Sequence, residues 1–383
     1  MKWTTKHIIL GFAFIILLAP LIISLFKMDG YFKLKGAVEV VENTDFSWEN
    51  WFAGEYQLKK ESYLKNSFGG RNILIRINNQ IHYSLFGTIR AKGVLEGKDG
   101  YIYEQNYIKS YLGLDFVGDE IIDENIRKLK AVQEVFEKDG KHLLVVIAAG
   151  KGSFYPQYFP APYDTMKQKE RNYVHYLESM KKAQLPHIDF NQYFLDIRDT
   201  TGPLLYPKRG THWSSYGEVL VMDSLLNYFS RVLEKDLPDM KRTWSIERPS
   251  IKRDKDLEEG MNIIFEYDKT PMKYQAVEFD TTGKYMANVL FIADSFYWGL
   301  QLEGFTSSAF KDANFWFYNN SVWPPKEGVS STKDLDFKSE IDKRDVVVIL
   351  GTEATMTYFG YEAVNQLYHA YVVPELDSLR LGE

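Results

Sequence analysis

The chain has 383 residues, 45% of them apolar and 15% aromatic, with 46 Lys and Arg against 52 Asp and Glu for a net charge of −6. That is enough for one large domain or two smaller ones, and the acidic balance without a long basic run argues against nucleic acid as a partner. The lack of cysteine excludes disulfides, zinc–thiolate sites and cysteine nucleophiles and leaves the compartment open.

Lys2 and Lys6 precede Ile8 to Phe26, an uncharged run of 19 residues. As a helix it spans about 28 Å, close to the roughly 30 Å hydrocarbon core of a bilayer. Membrane helices tolerate an internal proline such as Pro20. No small-x-small cleavage site precedes Lys27, so residues 8–26 read as a retained anchor and not a cleaved signal peptide. Lys27, Lys33 and Lys35 weaken the charge bias, but a tail of residues 1–7 favours an inside N-terminus with the bulk of the chain exported. Residues 27–36 read as a tether.

Residues 37–110 form an aromatic-rich region expected to pack on the main domain. It holds Phe46-Ser47-Trp48-Glu49-Asn50-Trp51-Phe52, then Phe68-Gly69-Gly70-Arg71 and a helix from Asn72 to about Phe86. Asp99-Gly100, between Val94-Leu95 and Tyr101-Ile102-Tyr103, signals a hairpin.

From 111 to 383 helix and strand patterns alternate. Ile122, Ile126, Leu129, Val132, Val135 and Phe136 recur at helical spacing, with Gly140 at the C-cap. Leu143–Ala148 reads as a buried parallel strand. A helix over about 165–182, a strand Pro186–Phe190 and a helix over about 215–234 follow. Ser215-x-x-Glu218 fits a capping box for the last of these. Residues 240–285 are charged and less regular, a possible inserted hairpin or cap. Strands at 289–293 and 346–350 flank a stretch with Trp316 and Trp323, and a helix from Glu353 to about Tyr371 closes the domain. The alternation predicts a three-layer α/β fold, a parallel flavodoxin-like sheet with right-handed crossovers.

Ligands of such sheets bind beyond the carboxyl ends of the strands. There Val289 to Ala293 runs into Asp294-Ser295-Phe296 and a helix, a corner that exposes a serine hydroxyl beside backbone N–H groups able to hold an oxyanion. A serine needs a base, and among the seven histidines His212, in Gly210-Thr211-His212-Trp213 before a helix, is the candidate. The macrodipole there disfavours imidazolium and keeps the ring able to accept a proton. His7, His82, His142, His175, His187 and His369 read as structural. The group orienting the ring stays open among Asp189, Asp196, Asp199 and a backbone carbonyl. Asp294 is expected to point away and brace the turn. Lys151 and Tyr155, after the first core strand, read either as ligands for a carbonyl, acyl donor or sugar hydroxyl or as a solvated lysine and a packed tyrosine. Glu353 reads as a favourable charge at a helix start or a site residue. Trp213 and Trp298 suit sugar stacking or core packing. No metal-ligand spacing and no Gly-rich phosphate loop occurs, so no metal or cofactor is expected.

Four blocks in order carry a resemblance: Val94-x-x-Gly97-x-Asp99-Gly100-Tyr101-x-Tyr103, Lys151-x-x-x-Tyr155-Pro156, Thr211-His212-Trp213-x-x-x-Gly217 and Asp294-Ser295-Phe296. Over roughly residues 60–370 the chain resembles the alginate O-acetyltransferase family of SGNH-hydrolase-like proteins. Histidine before serine is the specific part, since typical SGNH esterases place the serine first. Two departures are Gly210, where the family usually has an acid two residues before the histidine, and Ala293, where it usually has glycine. The resemblance implies an SGNH-hydrolase-like fold with Ser295 as nucleophile and His212 as base. It also implies an anchored or exported protein working on a polysaccharide beside a membrane-bound O-acyltransferase that supplies acetyl groups. The expected function is extracytoplasmic O-acetyl transfer to a polysaccharide, from the inner (cytoplasmic) membrane. The alternatives are a carbohydrate esterase using the same residues and a catalytically weak scaffold that binds glycan or the acyltransferase.

Overall fold

A computed structural model describes residues 4–26, 28–36 and 41–381. Lys2 and Lys27, used in the charge reading, and 37–40, where the aromatic-rich region is expected to begin, lie outside these residues. The chain divides into two compact units, Met1–Val94 with Asp256–Tyr267, and Leu95–Lys255 with Asp268–Glu383. The division thus falls after Val94 and not near residue 110. The segment after Val94 joins the larger unit because its strand Ile102–Glu104 and helix Gln105–Leu112 bury Ile102, Tyr103, Tyr107, Ile108 and Leu112.

The smaller unit contains helices α1 (Thr5–Leu25), α2 (Trp48–Phe52), α3 (Glu55–Ser67) and α4 (Arg71–Phe86). Among the described residues α1 is the one helix long and apolar enough to cross a membrane, and none of its residues is buried. It fits a single-pass membrane anchor.

In the larger unit the hairpin pairs β1 (Val94–Glu96) with β2 (Ile102–Glu104), and Asp99 and Gly100 take the left-handed conformation its turn requires (φ 55° and 73°). The main strands are β3 (His142–Ala148), β4 (His187–Asp189), β7 (Val289–Ala293), β8 (Asn314–Phe317), β9 (Ser321–Trp323) and β10 (Val346–Thr352). They form one six-stranded sheet in the order β4-β3-β10-β7-β8-β9, parallel except for β9. Strand side chains alternate between faces. Leu144, Val146, Phe291 and Val348 therefore meet helices α5 (Gln105–Leu112), α9 (Phe190–Ile197) and α10 (Ser215–Leu233), while Leu143, Val145, Ile292 and Val347 meet α6 (Asp119–Lys138) and α8 (Asn172–Ala183). The outcome is a three-layer α/β fold with a mixed, mainly parallel sheet. Inserted between α10 and β7 is the antiparallel pair β5 (Asp239–Pro249) and β6 (Pro271–Asp280).

Three local expectations change. The helix expected from about 165 starts at Asn172, because Lys169 N–H bonds Leu112 O (3.0 Å) and holds the preceding segment out of a helix. The α10 cap is Ser214, whose Oγ accepts from Gly217 N–H at 3.1 Å; Glu218 turns away to Arg253, 2.9 Å distant, so the Ser215-x-x-Glu218 box does not form. The last helix is broken. Glu353–Tyr358 is a 3₁₀ turn, and Gly360, Tyr361 and Glu362 have φ of 71°, 54° and 68° before helix resumes at Ala363. The buried Tyr361 hydroxyl, reaching Leu350 O at 3.1 Å, holds that break in place.

Candidate active site

The parallel strands deliver Lys151, Ser295, Tyr318 and Glu353 to the carboxyl edge of the sheet, just beyond β3, β7, β8 and β10. At the corner after β7, Asp294 is buried. Its Oδ1 accepts from Phe296 N–H (3.0 Å) and its Oδ2 from Thr352 N–H (2.8 Å), which ties the corner to the end of β10. Burial pushes the Asp294 carboxyl above its ordinary value, against the pull of these two N–H donors and of the nearby His212 when its ring is protonated. Asp294 uses the Phe296 N–H, and the Trp298 N–H bonds Ser295 O at 3.2 Å. Half-buried Ser295 is left with its hydroxyl 2.9 Å from His212 Nε2.

The histidine arrives on a loop held from outside itself. Lys151 is 1% exposed, and its Nζ donates to three main-chain carbonyls: Ile102 (2.7 Å), Lys208 (2.8 Å) and Gly210 (2.6 Å). An ammonium has three donors, and all three are spent on backbone, so Lys151 is neither solvated nor a substrate ligand. It fastens the loop before His212 to β2. Gly210 is equally constrained: a Cβ there would lie 2.5 Å from Asp254 O. An acid two residues before the histidine has no room, because backbone of the inserted segment fills its place. The His212 ring lies against Phe296, centroids 4.8 Å apart.

None of the three carboxylates considered for orienting the ring is used that way. Asp189 accepts from Tyr173 Oη (2.7 Å) and caps α9 through Gln192 N–H, Asp196 accepts from Gln192 Nε2, and the exposed Asp199 sits beside Arg198. Trp213 is buried edge-to-face against Phe296 and near Phe190 and Phe194, so it belongs to the core and offers no face to a sugar. Trp298 is half-buried, edge-on to the partly exposed Trp323 at 4.9 Å. Tyr155 is buried beside Tyr101 (5.0 Å) and Tyr158.

Glu353 is buried in the turn after β10. It accepts from Ser153 N–H (3.2 Å) and Ser153 Oγ (2.7 Å), and burial pushes its carboxyl up to about 7. A second buried carboxyl, Glu218, is pushed up to about 8 by burial against the pull of Arg253.

The sequence alone does not single out Tyr318. It follows β8 directly, with φ 50° and its N–H on Ala293 O (2.8 Å), and its hydroxyl lies near the Ser295 side chain. Burial and Asp294 hold the phenol well above its ordinary value, so it stays protonated and able to donate. Its place at the end of a sheet strand was the available signal. The aromatic run around Trp316 hid it, because a tyrosine there reads equally well as core. Among the described residues no cluster of His, Asp and Glu could hold a metal ion.

Comparisons with known proteins bear on the frame around this pair. Residues 94–260 match the family model described as SGNH hydrolase-like domain, acetyltransferase AlgX. Among solved structures, the O-acetyltransferase domain of Pseudomonas putida AlgJ is similar at 14% identity and a TM-score of 0.45, over 73% of this chain and 99% of that one. Pseudomonas aeruginosa AlgX is similar at 14% and 0.44, over 71% and 66%. Bacillus cereus PatB1 with a sulfonyl adduct is similar at 9% and 0.43, over 70% and 99%. No curated protein matches the sequence. The match covers the first three of the four sequence blocks, and the resemblance and the model agree there on an SGNH hydrolase-like acetyltransferase domain.

Proposed function

We propose that this chain is a membrane-anchored O-acetyltransferase that moves acetyl groups onto polysaccharide hydroxyls outside the cytoplasm, through an acetyl ester on Ser295. The carrying observation is the 2.9 Å hydrogen bond between His212 Nε2 and Ser295 Oγ at the carboxyl edge of the sheet. The family match over residues 94–260 supports the acyl chemistry, and α1 supports the anchor. The amino-terminal tail lies in the cytoplasm and the larger unit outside the inner membrane. A membrane-bound O-acyltransferase supplies the acetyl group.

In the first half-reaction Ser295 Oγ attacks the acetyl carbonyl carbon while His212 takes its proton. The oxyanion forms against the Ser295 N–H and the Tyr318 hydroxyl. Asp294, close enough for the histidine's charge to lower its pKa, stabilises the imidazolium in turn. It does so without an acid at position 210. Collapse breaks the bond to the donor oxygen, which leaves with the proton from His212. A sugar hydroxyl then repeats the sequence in reverse: its proton passes to His212, its oxygen bonds the acetyl carbon, and Ser295 Oγ departs and regains a proton.

The test is mass spectrometry of the full chain in detergent after exposure to an activated acetyl ester and an oligosaccharide acceptor. An acetyl group on Ser295, absent in His212→Ala, followed by acetylated oligosaccharide is expected. Free acetate with no acetylated acceptor would instead identify an esterase. A folded protein that never carries the adduct would refute the nucleophile.

A further inference from the structure

Helix α4 in the smaller unit is built inside out. Three of its polar side chains face protein: Arg76 donates to Ile263 O (3.0 Å) and Lys33 O (2.8 Å), Asn79 donates to Met261 O (2.8 Å), and Gln80 is buried. The buried Gln80 accepts from the N–H groups of Ile264 (3.0 Å) and Phe265 (2.9 Å) and donates to Tyr267 Oη (2.8 Å). Its aliphatic side chains face out. Leu74, Ile77, Ile81 and Leu85 are 51%, 39%, 48% and 71% exposed, and their spacing of three, four and four puts them in one stripe. An exposed apolar stripe of that length calls for a covering surface.

The structure indicates which one. Helix α4 starts against the last turns of α1. A Cβ on Gly69 would lie 2.1 Å from Pro20 O and 2.6 Å from Ser24 N, and one on Gly70 would lie 2.9 Å from Ile23 Cδ1. Only glycine allows so close an approach, so the first residue of α4 lies at the level where α1 ends. The charge agrees. Between Glu61 and Glu96 the chain carries no acidic residue, and Arg90 and Lys92 follow α4, a basic segment of the kind attracted by anionic lipid. Exposed Trp48, Trp51 and Phe52 on α2 belong to the same unit and are residue types favoured at membrane interfaces.

We propose that α4 lies in the interface of the membrane that α1 crosses, with Leu74, Ile77, Ile81 and Leu85 sunk among the acyl chains. The occupant of the stripe is lipid. Its four large side chains are aliphatic and Asn78 is the one polar residue beside them, so the stripe offers few of the polar handles a protein groove would use. The inference rests on α1 being a membrane anchor.

Because the chain has no cysteine, single cysteines can carry spin labels in the full chain, reconstituted in phosphatidylcholine–phosphatidylglycerol nanodiscs. The positions are Ile81→Cys and Leu85→Cys on the stripe, Ile15→Cys in α1 as the lipid reference, and Lys182→Cys, exposed at the end of α8, as the water reference. The expected result is an oxygen-to-nickel-chelate collision ratio at 81 and 85 near that of Ile15→Cys and several-fold above that of Lys182→Cys. Stripe labels as open to nickel as Lys182→Cys would overturn the proposal while leaving the anchor intact. Stripe labels shielded from both oxygen and nickel would overturn lipid in favour of a protein contact. Water-like behaviour at Ile15→Cys would overturn the anchor and the proposal with it.

Discussion

The two halves of the candidate site are held by different means. The Ser295 corner braces itself: Asp294 takes the N–H two residues on and the N–H of the adjacent β10. The His212 loop is braced by strangers, a lysine 61 positions earlier in the chain and the backbone of Asp254. A self-braced corner comes with its strand wherever the strand folds. A loop held by remote groups is right only when the whole unit is assembled, so damage far from the chemistry should reach it first.

That contrast can be broken on the histidine side. Lys151→Met takes the ammonium from the carbonyls of Ile102, Lys208 and Gly210, of which Lys208 O keeps the Ile102 N–H (3.1 Å), at a cost of about 3 kcal/mol. A large fall in Tm should appear in calorimetry, with loss of Ser295 acetylation in whatever protein remains folded. Gly210→Asp would supply the acid that the family usually carries, yet its side chain must displace Asp254 O. Overpacking of this kind costs about 1–3 kcal/mol. Denaturant titration should show it, with acetylation falling, and a gain in activity would refute the steric account.

On the serine side, Tyr318→Phe keeps the ring and removes one donor. The rate of Ser295 acetylation should fall roughly tenfold to a hundredfold, somewhat less than for a dedicated oxyanion-hole donor, with Tm nearly unchanged. An unchanged rate would remove Tyr318 from the chemistry.

The smallest effect is on pH dependence. Glu353 holds its proton to about pH 7 when folded, against 4.5 for the ordinary side chain. Between those values the folded state binds the proton and the unfolded state has lost it, so stability falls as pH rises and is flat above. The full shift corresponds to about 3 kcal/mol at most. Glu218, pushed to about 8, adds a descent of the same sign. Glu353→Gln should flatten the slope of stability below pH 7 and leave the part due to Glu218. A slope unchanged by Glu353→Gln would show that its carboxyl ionises normally.

Much of the fold was legible because it is local. The 19-residue uncharged run, the strands Leu143–Ala148, Val289–Ala293 and Val346–Leu350, and the Asp99-Gly100 hairpin follow from residue periods and turn chemistry, which neighbours in sequence determine. Ser295 and His212 could be named as a pair because each stands at a recognisable junction of elements. Tertiary structure alone decided what each remaining residue does. Lys151 became a fastener because the carbonyls of 102, 208 and 210 converge on it, and Trp213 became core because Phe190, Phe194 and Phe296 close over it. Glu353 is a proton-holding carboxyl because burial, and not its place at the start of a turn, sets its pKa. The reason is common to all three: a side chain's chemical role depends on the partners and solvent around it, and here those come from residues tens to hundreds of positions away.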